Sequence, residues 1–199
     1  MPSVLDMLKG QIGGSTLSQV SQRLGANQGQ IQQAIGAALP VLLAALARNA
    51  AKPEGATALH EALANDHDGS VLNNLTGAVN STDLTDGNAI LGHVLGDRRS
   101  AVETGVSKLS GLGGQQVTQL LAVLAPVVMG ALGKMQRQQN LDPSGLATAL
   151  AGERQGLDKV LPNLGGLAGL LDADGDGQIL DDVLGKVTGA LGGLFGGRK

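Results

Sequence analysis

The chain has 199 residues and contains no cysteine, no tryptophan and no tyrosine, and Phe195 is its only aromatic residue. The absence of cysteine excludes disulfides, thiolate zinc sites and cysteine nucleophiles. With one aromatic ring, side chains cannot form stacking platforms for bases or cages for cations. The formal net charge is −3, with 14 scattered Lys and Arg residues, so there is no general attraction to a phosphate backbone. Nucleic acid is therefore not an expected partner.

The first residues also lack a secretory signal, since no basic segment leads into an apolar run. We therefore expect a cytoplasmic location, while export by another route stays open. Known catalytic patterns are missing too: the chain has neither a GxSxG nucleophile elbow nor a phosphate-binding loop ending in Lys-Ser/Thr. We expect a protein that is not an enzyme.

What the sequence does contain is apolar helical sequence, with 42% hydrophobic residues and no strand-like alternation. This predicts an all-α fold. Two segments, from about Gln28 to Arg48 and from about Gln115 to Gln138, are apolar on nearly every face, which is typical of buried helices. Their uninterrupted apolar runs, of about 13 and 14 residues, are shorter than the roughly 18 needed to cross a bilayer. A buried pair is the prediction, and membrane insertion is the alternative.

The two apolar segments belong to a longer internal repeat. Identical residues recur at an offset of 86 positions: Gly25 and Gly111, Gln30 and Gln116, Pro40 and Pro126. A proline inside a helix removes a hydrogen bond and bends the helix, so matching bends are expected at Pro40 and Pro126. The pattern predicts an internally duplicated helical bundle with two proline-kinked, buried central helices.

The repeat also suggests a division of the chain. Residues 1–97 form the first helical half, residues 98–151 the second, and residues 152–199 a glycine-rich segment that ends in an amphipathic helix, all within one expected domain. Capping-box spacing predicts helix starts at three places, and an Asp-Pro pair predicts a fourth. These starts are Thr16 with Gln19, Asn27 with Gln30, Ser100 with Glu103, and Asp142 before Pro143.

An ion-binding pattern lies in the glycine-rich segment, where residues 172–183 read DADGDGQILDDV. Asp172, Asp174 and Asp176 occupy positions 1, 3 and 5 of a calcium-type loop, glycine occupies position 6, and Gln178 at position 7 would offer its backbone carbonyl. Position 12 is Val183 rather than glutamate, so Asp182, or else Asp181, would have to close the site. We predict Ca²⁺ binding, with Mg²⁺ as the other candidate ion. The alternative is an acidic helix N-terminus, favoured by the helix dipole.

Weaker copies of the loop occur earlier in the chain. In Ala64 to Leu75, alanine replaces the first carboxylate, so Asp66 and Asp68 either help to hold an ion or form a plain Asx turn. A third copy, Asp86 to Gly96, places His93 where the last loop has Asp182. His93 is either a metal ligand or a structural hydrogen-bonding residue.

Several of these segments together resemble one family. LDMLKGQIGG, QIQQAIGAALPVLLAALARNA, DHDGSVLNNL, AILGHVLG and DADGDGQILDDVLG are similar to the YidB-like family, a bacterial "domain of unknown function nine-three-seven". The resemblance implies a bacterial source and a mostly helical fold. Because that family has no agreed activity, the resemblance implies no catalytic residue.

Together these features predict a non-enzymatic, calcium-binding structural or interaction protein. Its Asp loops would order a helical scaffold for self-association or for binding another protein. The alternative is a membrane-surface or envelope-associated protein that uses its apolar helices and its C-terminal amphipathic helix.

Overall fold

Helices account for most of the residues that the computed structural model describes, which are residues 3–157. No strand occurs within this range, so the all-α prediction is confirmed. The same residues include two short 3₁₀ turns, Ser70–Asn74 and Gly96–Arg98. The α-helices are α1 (Val4–Gln11), α2 (Gly14–Leu24), α3 (Gln28–Ala50), α4 (Pro53–Asn65), α5 (Leu75–Asn80), α6 (Thr85–Leu95), α7 (Arg99–Ser110), α8 (Gly114–Gln139) and α9 (Pro143–Leu157).

The two longest helices, α3 and α8, are the two apolar segments of the sequence. Leu39 and Leu43 on α3, and Leu120 and Leu132 on α8, are completely shielded from solvent. By length and composition both helices could cross a membrane, yet 78% of the apolar window of each is buried inside the bundle. Core helices of soluble proteins have the same properties. Both helices continue through their internal prolines, Pro40 and Pro126.

Helices from both predicted halves interleave around this pair. α9 packs on α3 and α6 packs mainly on α8, whereas α2, α4 and α7 contact both long helices. One hydrophobic core therefore extends from Val4 to Leu157. Helix α9 continues six residues past the predicted boundary at residue 151, and Glu153 accepts a hydrogen bond from the Val4 amide at 2.9 Å. The end of α9 is thereby joined to the start of α1.

Two of the predicted helix starts are confirmed. The Asn27 side chain accepts a hydrogen bond from the Gln30 amide at 2.8 Å at the start of α3. The Asp142 carboxylate accepts one from the Gly145 amide at 2.6 Å at the start of α9. Both side chains satisfy amides that the first turn of a helix leaves without a partner.

The other two predicted starts are wrong. Helix α2 begins after Gly13, which places Thr16 inside its first turn. Helix α7 begins at Arg99, one residue before Ser100, and Glu103 accepts a hydrogen bond from the Arg99 guanidinium at 2.9 Å. Capping-box spacing also occurs by chance within helices, where an i,i+4 ion pair can engage the acidic residue instead.

The connections that lead into the long helices are alike. Gly25 and Gly111 end α2 and α7 in the left-handed conformation, with φ of 61° and 71°, which favours glycine. The Gln30 side chain donates to the Gly111 carbonyl at 2.9 Å, and the Gln116 side chain donates to the Leu24 carbonyl at 2.7 Å. Each long helix thus contacts the connection that precedes the other.

Candidate functional site

The first Asp loop forms a tight turn between α4 and α5. Helix α4 ends at Asn65, and Gly69 at loop position 6 has a φ of 92°. The Asp68 carboxylate accepts a hydrogen bond from the Ser70 amide at 2.8 Å, which is an Asx turn. Hydrogen bonding from the side chain and the backbone of Ser70 lowers the pKa of Asp68. The carboxylate at position 5 therefore stabilises the turn itself.

This loop lies directly against helix α8. A Cβ at Gly69 would come within 3.1 Å of the Gly130 carbonyl oxygen, and a Cβ at Gly133 would overlap the carbonyl oxygen of His67. The Val71 side chain lies on Gly130. Glycine is required here because backbone meets backbone. The loop is thereby held at a defined place on the bundle.

The structure does not gather metal ligands at this loop. Asp66 and Asp68 are both exposed. Between residues 3 and 157, no group of three or more His, Cys, Asp or Glu side chains could hold a metal ion. The Asp68 carboxylate is therefore placed for a turn, and an ion held by Asp66 and Asp68 would need further ligands from water.

The remaining predicted ligands fall in two places. The third copy of the loop is helical, since Asp86 and His93 both lie within α6, where Asp86 occupies the first turn. His93 is exposed. The ligands predicted for the strongest loop lie outside the described residues: Asp172, Asp174, Asp176, Gln178 and Asp182.

A cavity of about 810 Å³ lies between α3, α4 and α6, and the sequence did not predict it. Two close contacts join α3 to the other two helices that line it. A Cβ at Gly55 on α4 would overlap the Asn49 carbonyl of α3. The Asn49 side chain donates to the carbonyls of His93 and Val94 on α6, at 3.3 and 3.2 Å. The ends of α3 and α6 are therefore held together at one end of the cavity.

The cavity has an apolar floor and a charged rim. The floor consists of buried side chains, each no more than 8% exposed: Leu46, Leu59, Ile90, Val94 and Met129. The rim carries basic, acidic and histidine side chains: Arg48, Lys52, Arg98, Glu54, Asp66, Asp86, His67 and His93. The sequence offered one signal for this site, which is that Arg48 and Arg98 closely follow apolar helical segments.

The two arginines have unused hydrogen-bonding capacity. The Nη1 atoms of Arg48 and Arg98 are buried, and neither has a hydrogen-bond partner among the described residues. The one ion pair in the described part of the chain is elsewhere, between Arg99 and Glu103. No acidic residue of the rim therefore neutralises either guanidinium by direct contact.

A model of the family described as "Bacterial protein of unknown function (DUF937)" matches residues 6–135 of the chain. The matched range includes the first Asp loop and every residue that lines the cavity. This confirms the expected membership of the bacterial family known as domain of unknown function nine-three-seven. Comparisons with curated proteins and with solved structures gave no match.

Proposed function

The chain belongs to this bacterial family of unknown function, and from that premise we propose that it is a non-enzymatic, calcium-binding scaffold protein. In this proposal, Ca²⁺ binds chiefly at Asp172, Asp174 and Asp176. The bound ion orders the glycine-rich C-terminal segment for self-association or for binding another protein. Mg²⁺ is the other ion that oxygen ligands of this kind could accept.

The supporting observation is the conformation of the first loop copy. Gly69, at position 6, adopts the positive φ that allows the sharp turn of a calcium-type loop. The last copy has the same glycine, Gly177, and adds the carboxylate that Ala64 lacks at position 1. Three carboxylates around such a turn repel one another until a cation neutralises them. The turn that the first copy forms with two carboxylates would thus hold an ion more strongly in the last copy, which has three.

We also infer that the scaffold arose by internal duplication. The glycines matched in sequence, Gly25 and Gly111, have the same left-handed conformation at equivalent helix ends. The matched glutamines, Gln30 and Gln116, make reciprocal hydrogen bonds between the halves. Bends at the matched prolines remain part of this proposal.

Thermal unfolding of the full chain, followed by circular dichroism, tests calcium binding. Without tryptophan and tyrosine, intrinsic fluorescence has little to report. A ligand at about 100 times its Kd stabilises a folded state that alone binds it by about 2.7 kcal/mol. We therefore expect millimolar Ca²⁺ to raise Tm relative to EDTA, and we expect Asp174→Asn and Asp176→Asn to abolish the increase.

The matched control variants are Asp66→Asn and Asp68→Asn, which change the same loop positions in the first copy. They should retain the response to Ca²⁺. Absence of any Ca²⁺ or Mg²⁺ effect on the wild type would refute the ion site. An equal loss of the response in all four variants would refute its assignment to the last loop.

The scaffold role is tested by sedimentation velocity with and without Ca²⁺, where the proposal predicts ion-dependent assembly or ion-dependent binding of a partner. The membrane-surface alternative rests on the length and apolar composition of α3 and α8. Against it, Leu109 is the one large hydrophobic side chain that is exposed within residues 3–157. Cosedimentation of the full chain with vesicles would favour the alternative.

A further inference from the structure

We propose that the cavity between α3, α4 and α6 is a binding site for an aliphatic anion, meaning an alkyl chain that ends in a carboxylate or a phosphate. The residues that line the cavity fall between Leu46 and Met129 in the sequence, and none of them belongs to the calcium loop predicted at residues 172–183. The proposal therefore goes beyond the calcium-dependent role and does not depend on it.

The anionic end of the ligand follows from Arg48 and Arg98. Each guanidinium has a buried Nη1 without a partner among the described residues. Buried polar groups are nearly always hydrogen-bonded, and an unsatisfied one costs stability. Carboxylates and phosphates match the planar donors of a guanidinium better than other acceptors do. An anion in the cavity would supply the missing hydrogen bonds.

The basic side chains lie towards one end of the cavity. Asn49, next to Arg48, bonds the carbonyls of His93 and Val94, which precede Arg98 by only a few residues. Lys52, two residues after the end of α3, adds a third positive charge to the lining. Asp66 lies at the opposite end of α4 from Lys52, about 21 Å away at helical rise. Glu54 is exposed and pairs with none of these cations.

The aliphatic part follows from the floor of the cavity. Leu46, Leu59, Ile90, Val94 and Met129 present only methyl, methylene and thioether groups. Among the described residues no Phe, Tyr or Trp lines the cavity, and its two imidazoles, His67 and His93, belong to the rim, so the floor itself is purely aliphatic. A volume of about 810 Å³ falls within the range of small-molecule sites. An alkyl chain that extends from the arginines over this floor would fit both the apolar surface and the volume of the cavity.

Isothermal titration of the full chain in EDTA tests the site, with octanoate and octyl phosphate as ligands. Octanol and octyltrimethylammonium are the matched controls, since they carry the same chain without a negative charge. We expect both anions to bind and both controls to bind at least about 10-fold more weakly. The relative affinities of octanoate and octyl phosphate identify the preferred acid group. EDTA separates this result from the outcome of the calcium experiment.

Arg48→Gln and Arg98→Gln should each weaken octanoate binding by about 10-fold or more, whereas Arg154→Gln, on α9, should not. The ligand selectivity of the wild type keeps the proposal testable if a variant fails to fold. No binding of either anion at millimolar concentration would overturn the proposal. Equal binding of octanol would overturn it too, as would full affinity in the folded double variant.

Discussion

The long helices α3 and α8 are similar in length, in internal proline and in burial, yet α9 packs on α3 whereas the turn Ser70–Asn74 packs on α8. Helix α8 has Gly130 and Gly133 where the backbone of the first Asp loop lies against it. The matched positions of α3, 86 residues earlier, are Ala44 and Ala47, and both are buried. The shared residues thus specify a buried helix, and the residues that differ specify what packs on it.

The largest expected difference concerns a matched pair of leucines. Leu132 of α8 is completely buried, whereas Leu46 of α3 borders the cavity. Leu132→Ala should lower the free energy of unfolding by about 4 kcal/mol because it leaves a new void. Leu46→Ala should cost about 2 kcal/mol because fewer packing contacts are lost beside an existing cavity. Urea unfolding followed by circular dichroism measures both.

Equal losses at the two leucines would mean that the cavity is closed by packing in solution. A greater loss at Leu46 would contradict the comparison outright. Repeating the unfolding experiment with octanoate sharpens the test. Bound octanoate should raise the free energy of unfolding of the wild type, and it should raise that of Leu46→Ala by less.

A smaller effect is expected where the loop meets α8. Gly133→Ala would place a Cβ on the carbonyl oxygen of His67, so the loop must shift, at a cost of about 1–3 kcal/mol. The control is Gly36→Ala on α3, where a Cβ meets nothing within 4 Å. That substitution should stabilise the protein by about 0.5–1 kcal/mol, because alanine is the better helix former.

Urea unfolding measures both glycine variants. If the loop backbone contacts α8 as described, the free energy of unfolding falls in Gly133→Ala and rises in Gly36→Ala. If Gly133→Ala proves neutral or stabilising, the close approach of His67 to α8 is wrong. Packing of the loop would then not explain why α8 has glycine where α3 has alanine.

Much of the fold could be predicted because local sequence determines it. Apolar residues on every face identified α3 and α8 as buried helices, with starts within a residue of those observed. Asn27 and Asp142 were found because an N-cap needs only a short polar side chain beside the helix start. The segment from Asp86 to Gly96 was misleading, since an Asp-Gly pair suits the first turn of a helix as well as a loop.

The cavity could not be predicted because it depends on contacts between distant segments. Arg48 and Arg98 are 50 positions apart in the sequence. Asn49 and Gly55 bring their helices together through backbone carbonyls, which carry no sequence signature. Periodicity shows which face of a helix is buried, but it does not show which helix covers that face or where the packing leaves a space.

The smallest effects are expected for alanine at the matched glutamines Gln30 and Gln116, and they test whether the two halves contact each other in the same way. Each side chain satisfies a carbonyl at the end of a helix in the other half, so alanine at either position should cost about 1 kcal/mol. Gln116→Ala should lower the free energy of unfolding more than Gln30→Ala does, because the hydrogen bond from Gln116 to Leu24 is less exposed than that from Gln30 to Gly111. The exposed Gln32→Ala is the control and should change stability by less than about 0.5 kcal/mol. If neither glutamine exceeds the control, the reciprocal bonds do not hold the halves together, and their support for a duplication fails.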